Sequence, residues 1–375
     1  PWGLWDVPGS LAFLASVAAG TLPTALYVLL VWRIDRYEKE PVRLLAAAFL
    51  WGAVPAVILS LLLEMIMDIP ITTVSRTYKQ VLSASFVAPP AEEMVKALAL
   101  AGLFVLARYE FDDVLDGIIY GSLVGFGFAM TENIFYFVGN QGDLGSWSTL
   151  VFGRSIAFGF NHAMFTSLTG IGFGLARLAR TRSTRRAFIV IGYLAATTAH
   201  FFHNFLLSAG NLCVLGFLSD WFGVLVVFVI VLLTWRRERI WIESELPEEV
   251  ELGVLGQAQL GAITSRRKRW ATTWEALGSS GWQQARLGRR LLQFATELAF
   301  KKHQRAVMGE EKDNSGEIAA LRDKILDIRR RLGDAAALDV IACPSCGRPW
   351  PRDAKRCTHC GIAWAEEPVG DRRNG

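Results

Sequence analysis

Carboxylates and imidazoles interrupt the apolar stretches of this sequence. Five such residues stand out within these stretches: Glu92, Glu93, Glu132, His162 and His200. Ionisable side chains are costly in an apolar layer and are usually kept there for a partner or a chemical task. Two imidazoles and a carboxylate can hold zinc with one position open for water, and a second carboxylate can serve as the base. The residue types therefore predict a metal-dependent hydrolytic site inside an apolar layer.

These five residues divide into two predicted roles. Glu132, His162 and His200 are the predicted zinc ligands, and Glu92 or Glu93 is the predicted base that activates the water. Adjacent residues point about 100° apart on a helix, so only one of the two glutamates is expected to reach the metal or its water.

Four further polar residues are expected to complete the site. Asn204 follows His200 by one helical turn and shares its face, so it is expected either to replace Glu132 on the zinc or to stabilise the oxyanion. Supporting roles are expected for Lys96, Asn133 and His203. For any one of these residues an interhelical hydrogen bond is the simpler explanation, and their occurrence in consecutive stretches is what favours a site.

Seven apolar stretches must position these side chains. Each has the roughly 20 residues that cross about 30 Å of hydrocarbon. The predicted spans are 10–32, 44–67, 81–107, 114–138, 151–176, 187–208 and 214–235. Pro89 and Pro90 are expected to free backbone groups in the third span. Close helix packing is expected at Gly121, Gly125, Gly127, Gly170, Gly172 and Gly174. We predict an all-α polytopic membrane protein with about seven transmembrane helices.

Basic residues lie in alternate connections between these spans. They cluster between Arg33 and Arg43, between Arg177 and Arg186, and from Arg236 onward. Lysine and arginine near span ends are retained on the cytoplasmic side of a membrane. We therefore predict an N-terminus outside and a C-terminal tail inside the cell.

The tail differs in composition from the rest of the chain. Residues 265–303 combine basic side chains with tryptophans, which suits either the surface of an anionic leaflet or a solvated helix of a small domain. A second helical pattern, from Ile318 to Leu332, is predicted to pack against the first. The predicted domains are a transmembrane domain at 1–235, a cytoplasmic helical region at 236–337 and a zinc ribbon at 338–366.

Two Cys-x-x-Cys motifs predict the ribbon. They pair Cys343 with Cys346 and Cys357 with Cys360. Four thiolates at this spacing hold one zinc ion tetrahedrally. So small a module needs a bound metal to stabilise its fold. A disulfide pair would suit a reducing cytoplasm poorly. A four-cysteine site has no open position, so the ribbon is expected to be structural and to bind a cytosolic protein, and nucleic acid is not expected as a partner.

The polar motifs in consecutive spans resemble those of the PrsW family of intramembrane proteases. The matching pieces fall within about residues 20–235 and are Glu92-Glu93-x-x-Lys96, Phe111 to Gly121, Gly127-Phe128-x-x-x-Glu132-Asn133-x-x-Tyr136, His162 with Gly170, and His200-x-x-x-Asn204. The resemblance implies metal-dependent cleavage of a single-span membrane protein, typically an anti-sigma factor, in a bacterial plasma membrane.

Three alternatives to this interpretation stay open at the level of sequence. The type II CAAX prenyl endopeptidases of the wider Abi superfamily are similar, but they carry His where this chain has Glu132, which argues against prenyl-protein processing. A metal-ion transporter would also use intramembrane carboxylates and histidines, but the sequence has no internal repeat. A non-catalytic scaffold would depend on the ribbon and not on the intramembrane residues.

Overall fold

The structure is a computed structural model, and its contacts divide the chain into two compact units, Pro1–Thr234 and Trp235–Gly375. The residues that it describes are 9–35, 39–68, 76–108, 110–140, 143–208, 212–310, 313–333, 340–346, 349–351, 354–357 and 360–363.

The described part of the first unit is helical. Three of its helical segments contain a π-helical turn, which widens the helix by one residue at that point. In chain order the elements are α1 (Gly9–Ile34), α2 (Val42–Trp51), a π turn (Gly52–Ala56), α3 (Val57–Met67), α4 (Arg76–Leu82), a π turn (Ser83–Val87), α5 (Ala88–Leu106), α6 (Val114–Gly139), α7 (Leu144–Val151), a π turn (Phe152–Ala157), α8 (Asn161–Leu178), α9 (Arg182–Ser208) and α10 (Cys213–Glu245).

Five helices within the described residues are long and apolar enough to cross a membrane. They are Gly9–Ile34, Val42–Met67, Val114–Gly139, Arg182–Ser208 and Cys213–Glu251, and they coincide with five of the seven predicted spans. The helices within the predicted spans 81–107 and 151–176 are not both long and apolar enough to be included. The first carries three ionisable residues within two turns, and the second is interrupted.

The interruption corrects the prediction of a continuous helix at 151–176. The π turn ends at Ala157, and α8 begins only at Asn161. A side chain at Gly159 would overlap the carbonyl oxygen of Ser155, so the chain can turn here only because this position is glycine. The hydroxyl of Tyr27 donates to the same carbonyl at 2.8 Å. The break places Asn161 and His162 in the first turn of α8.

Helix α6 is the centre of the first unit. In its most apolar window 83% of the residues are buried, against 17–33% in the other four candidate spans. Close approach explains this burial, because a Cβ atom on Gly121 would lie 2.7 Å from the carbonyl oxygen of Thr166 in α8, and one on Gly125 would overlap the carbonyl of His162. The predicted packing role of these glycines is confirmed.

The prolines of α5 also act as predicted. Proline lacks an N–H, so carbonyl groups in the preceding π turn lose their usual helical donor. The side-chain amide of Asn204 in α9 donates to one of these carbonyls, that of Ala84, at 2.7 Å. The hydroxyl of Tyr193, also in α9, donates to the carbonyl of Pro90 within α5 at 3.1 Å. Two side chains of α9 therefore bind the backbone of the segment that carries the paired glutamates.

The second unit combines helices with a small two-stranded sheet. Its elements are the end of α10, α11 (Pro247–Glu251), α12 (Gln257–Thr264), α13 (Arg266–Met308), α14 (Asn314–Arg331), β1 (Val340–Ala342) and β2 (Pro349–Pro351), with the two strands antiparallel. The predicted packing of the second helical pattern on the first is confirmed. Ile318, Leu321 and Ile325 of α14 are buried, and the ammonium group of Lys324 lies 5.3 Å from the ring centroid of Phe294 in α13.

We predict that Gly170→Ala destabilises the first unit by about 1–3 kcal/mol, because the added methyl group would overlap the carbonyl of Gly117 and push α8 away from α6. Unfolding of the detergent-solubilised protein by a titrated denaturing detergent measures this loss. Gly102→Ala in α5 is the matched control, since its Cβ would meet nothing within 4 Å. Equal stability of the two variants would contradict the proposed backbone contact.

Candidate functional site

The paired glutamates of α5 and Lys96 form one buried ion cluster. Glu92 is 7% exposed, and Glu93 and Lys96 are 0% exposed. The ammonium group of Lys96 lies 3.0 Å from Glu92 Oε2 and 2.9 Å from Glu93 Oε1. Lys96 follows the glutamates by four and three residues, so one ammonium reaches both carboxylates across a single helical turn. Both glutamates therefore enter the cluster through the same lysine.

The two predicted histidine ligands face this cluster from α8 and α9. His162 Nδ1 lies 3.1 Å from Lys96 Nζ and 3.8 Å from Glu92 Oε2. His200 Nδ1 lies 3.1 Å from Glu93 Oε1. The two imidazole rings are perpendicular, with centroids 5.1 Å apart. Three helices that are distant in sequence thus bring two carboxylates and two imidazoles together.

This donor set fits a divalent metal ion. One ligand atom from each of Glu92, Glu93, His162 and His200 lies within 4.8 Å of the other three. Carboxylate oxygens and imidazole nitrogens are the donors of catalytic zinc sites and of several other first-row metals. The buried Lys96 ammonium that contacts three of these residues shows that their donor atoms face a position favourable to positive charge.

Glu132 lies outside this four-residue group, on the far side of His162. Its Oε2 atom is 2.9 Å from His162 Nε2 and 2.8 Å from Arg154 Nη2. The structure therefore brings the predicted ligand Glu132 to the imidazole of His162. A carboxylate in this position fixes the orientation and tautomer of a metal-binding histidine.

Arg154 is a site residue that the sequence reasoning missed. Its Nε donates to Asn133 Oδ1 at 2.8 Å, and its guanidinium carbon lies 3.8 Å from the ring centroid of Tyr136. The predicted supporting residue Asn133 thus binds Arg154 beside Glu132. An arginine inside a predicted span requires a partner, and this was the signal that could have identified it.

His203 belongs to a second polar group beside the first. His203 Nδ1 lies 2.7 Å from Asp220 Oδ2, and the side-chain amide of Asn161 donates to the same oxygen at 2.9 Å. Asp220 is 2% exposed and comes from α10. The rings of His200 and His203 both pack against Phe165. Asp220 and Asn161 were not singled out in the sequence, although an aspartate in the last predicted span carried the same signal as Arg154.

A cavity of about 950 Å³ joins these groups. Small-molecule pockets range over roughly 300–1,000 Å³, so this one has room for a segment of several residues. Glu93 does not line it, since that carboxylate is enclosed by Lys96, His200 and Thr166. The ionisable and amide side chains that line it include Glu64, Glu92, Glu132, Arg154, His162, His200, His203 and Asn204.

The four cysteines of the second unit also come together. The sulfur atoms of Cys343 and Cys360 are 3.6 Å apart, and those of Cys346 and Cys357 are 3.7 Å apart. Sulfurs at about 2.3 Å from a tetrahedral zinc ion are separated by about 3.8 Å, whereas a disulfide requires about 2 Å. Desolvation opposes ionisation of Cys343, but backbone N–H groups of Ser345 and Cys346 outweigh it and lower the pKa of this thiol to about 6. The group fits a thiolate-bound metal.

Comparison with known proteins gives matches in the first unit. The family model for PrsW family intramembrane metalloproteases matches residues 40–234, more than half of the chain. The chain is 28% identical to Protease PrsW of Geobacillus kaustophilus over 193 residues, which cover 52% of this chain and 80% of that protein. It is 25% identical to Protease PrsW of Bacillus subtilis over 218 residues, which cover 58% and 90%. No solved structure matches the chain.

We predict that Arg154 and Glu132 are energetically coupled. Their side chains are 26% and 22% exposed, so the pair is partly desolvated and its coupling energy should be about 1 kcal/mol or more. The coupling energy is measured from the free energies of unfolding of three variants: Arg154→Gln, Glu132→Gln and the double variant. Arg180→Gln, at an exposed position, is the control and should be additive with Glu132→Gln. If the losses of stability were additive for Arg154 with Glu132 as well as for Arg180 with Glu132, the ion pair would be contradicted.

Proposed function

Because this chain belongs to the PrsW family of intramembrane metalloproteases, we propose that it hydrolyses a peptide bond of a single-span membrane protein within the bilayer. The observation that carries this proposal is the convergence of Glu92, Glu93, His162 and His200 beside one large cavity. Family membership favours this function over the transporter and scaffold alternatives.

In this proposal Glu93, His162 and His200 hold the catalytic zinc ion. Glu93 suits a ligand, because it is fully buried and fixed by Lys96, His200 and Thr166. Glu132 then positions His162 from outside and does not bind the metal, which differs from the role that the sequence predicted. A bound divalent metal polarises its water and the substrate carbonyl.

Glu92 is the proposed general base. It lines the cavity, whereas Glu93 does not. The Oε2 atom of Glu92 lies 3.0 Å from the Lys96 ammonium, and a carboxylate held in place in this way can accept a proton from a nearby water. The cavity wall next to Glu92 is formed by Phe128, whose ring lies 3.8 Å from Lys96 Nζ and limits the access of bulk water to this ion pair.

His203 is the proposed donor of a proton to the leaving amine. A carboxylate on one imidazole nitrogen fixes the ring and leaves the other nitrogen for proton transfer, and Asp220 makes this contact with Nδ1 of His203. Asn204, predicted as a catalytic residue, lines the cavity while its amide nitrogen binds Ala84. We assign to Asn204 the positioning of the π turn that precedes the glutamates.

The same proposal includes the topology and the substrate class. Seven spans, with α5 and the segment around α8 included, place the N-terminus outside and the tail in the cytoplasm of a bacterial plasma membrane. A single-span anti-sigma factor is the proposed substrate, by resemblance to the family. The Glu132 position separates the chain from CAAX-type endopeptidases, although we place both in the Abi superfamily.

The tail is proposed to be a separate cytoplasmic module. Domain boundaries at 235 and 337 leave a helical region and a zinc ribbon at 338–366. The sulfur separations support one structural zinc ion in the ribbon, which presents its surface to a cytosolic protein partner.

We expect Glu92→Gln to lower proteolysis by roughly 100-fold or more, because the amide cannot accept the proton of water. The measurement compares new protein N-termini in membranes of cells that express the wild type or the variant, and cleavage within spans of single-span proteins should disappear. Glu110→Gln, at an exposed position outside the site, is the control and should cleave normally.

Two results would contradict this assignment. One is full cleavage by Glu92→Gln together with full cleavage by His162→Ala and His200→Ala. The other is cleavage sites that lie only at lipidated C-termini, which would favour the CAAX-type alternative. Unchanged thermal unfolding of the variants separates a loss of chemistry from a loss of fold.

A further inference from the structure

Three tryptophans of α13 lie on the protein surface. Trp270, Trp274 and Trp282 are 57%, 62% and 63% exposed, and they form what we term the tryptophan face. The rings of Trp270 and Trp274 lie one helical turn apart, with centroids separated by 6.2 Å. Indole rings are large apolar groups, so their exposure in one segment marks an interaction surface. The proposed protease chemistry makes no use of this face.

The backbone of α13 is bent at Gly281. This residue has a φ of 82°, outside the helical region, and the helix divides there into two halves. Arg269 in the first half lies 3.4 Å from the hydroxyl of Thr296 in the second half and 3.1 Å from the carbonyl of Ile263 in α12. In a straight helix these 27 residues would span about 40 Å. The first half therefore folds back, with Arg269 turned inward.

The first half of α13 contacts α12 and the second half of the helix through Arg269. Among the residues 267–278 whose side chains the structure describes, none is buried. An isolated helix of about 15 residues is only marginally stable in water. A surface that covers the three tryptophans would therefore add to the stability of this half.

The charge of this segment indicates the chemistry of that surface. Residues 266–290 include seven basic side chains and one acidic side chain, Glu275. The guanidinium of Arg289 lies 5.0 Å from the ring centroid of Trp282, so basic and aromatic groups are interleaved. Tryptophan prefers the boundary between lipid tails and headgroups, and clustered lysine and arginine attract anionic headgroups. The combination is complementary to an anionic bilayer surface.

The position of the segment in the chain supplies a second argument. It belongs to the unit that continues directly from α10, whose apolar part is long enough to cross a membrane. A short tether raises the effective concentration of the segment at the bilayer, so even weak lipid contacts would be occupied.

We propose that the tryptophan face of α13 lies in the headgroup region of an anionic membrane leaflet, with Trp270, Trp274 and Trp282 inserted at the lipid boundary and Arg267, Lys268, Arg289 and Arg290 on lipid phosphates. This surface is independent of the catalytic residues. It anchors the tail by lipid contacts of its own, in addition to the covalent connection through α10.

Hydrogen–deuterium exchange of the full chain in lipid nanodiscs tests this proposal. Discs of phosphatidylcholine are compared with discs that also contain phosphatidylglycerol, and peptides from 266–282 are followed. We expect roughly tenfold slower exchange in the anionic discs, and loss of that protection in the double variant Arg267→Gln, Lys268→Gln. The matched control is Arg330→Gln, Arg331→Gln, which removes two exposed charges from α14 and should keep the protection.

A second measurement guards against misfolding of the variants. Peptides from α14 should exchange at wild-type rates in every variant. In a separate fluorescence experiment, lipids brominated near the headgroup should quench more tryptophan fluorescence in the wild type than in the triple variant Trp270→Phe, Trp274→Phe, Trp282→Phe. The proposal is overturned if exchange in 266–282 is the same in neutral and anionic discs. It is also overturned if brominated lipids quench the wild type and the triple variant equally, which would leave a protein partner as the occupant of the face.

Discussion

One ammonium group pairs with two buried carboxylates in the first unit and offsets one of their two negative charges. Burial of an ionised carboxylate costs several kcal/mol unless an opposite charge compensates it. Glu92 and Glu93 are adjacent in sequence, so each also repels the other, and Lys96 lies within 3.0 Å of both. The two histidines and Thr166 then complete the surroundings of these carboxylates. The arrangement of α5, α8 and α9 depends on this compensation, because all three helices contribute to it.

The glycines of α6 set the distances within this arrangement. Where α6 crosses α8, the backbones touch at Gly117 and Gly170, and again where Gly125 meets the carbonyl of His162. These contacts draw α8 close enough for His162 to reach both Glu132 in α6 and Lys96 in α5. Packing and chemistry are therefore linked, because the residue that binds Glu132 and Lys96 also contributes its carbonyl to the helix crossing.

Much of the fold and of the candidate site could be predicted from the sequence. Apolar length marks the helices, ionisable residues in apolar stretches mark the candidate site, and paired Cys-x-x-Cys motifs mark the four-cysteine cluster. Arg154 and Asp220 carry the same signal, an ionisable side chain in an apolar stretch, but only the folded chain shows that they face Glu132 and His203. The break before α8 depends on Tyr27 and Gly159, which meet only in the folded chain. The contact of Lys96 with both glutamates depends on side-chain reach, which helical angles at Cα do not show.

The metal content of the purified protein shows whether His162 and His200 hold a metal ion. The full chain, with Cys343, Cys346, Cys357 and Cys360 changed to serine so that the ribbon cannot contribute, would be purified in detergent under metal-replete conditions. We expect about one divalent metal per chain, and we expect its loss in the same background when His162→Ala and His200→Ala are added. Absence of metal in the first protein, or retention of one in the second, would contradict a metal centre built from these histidines.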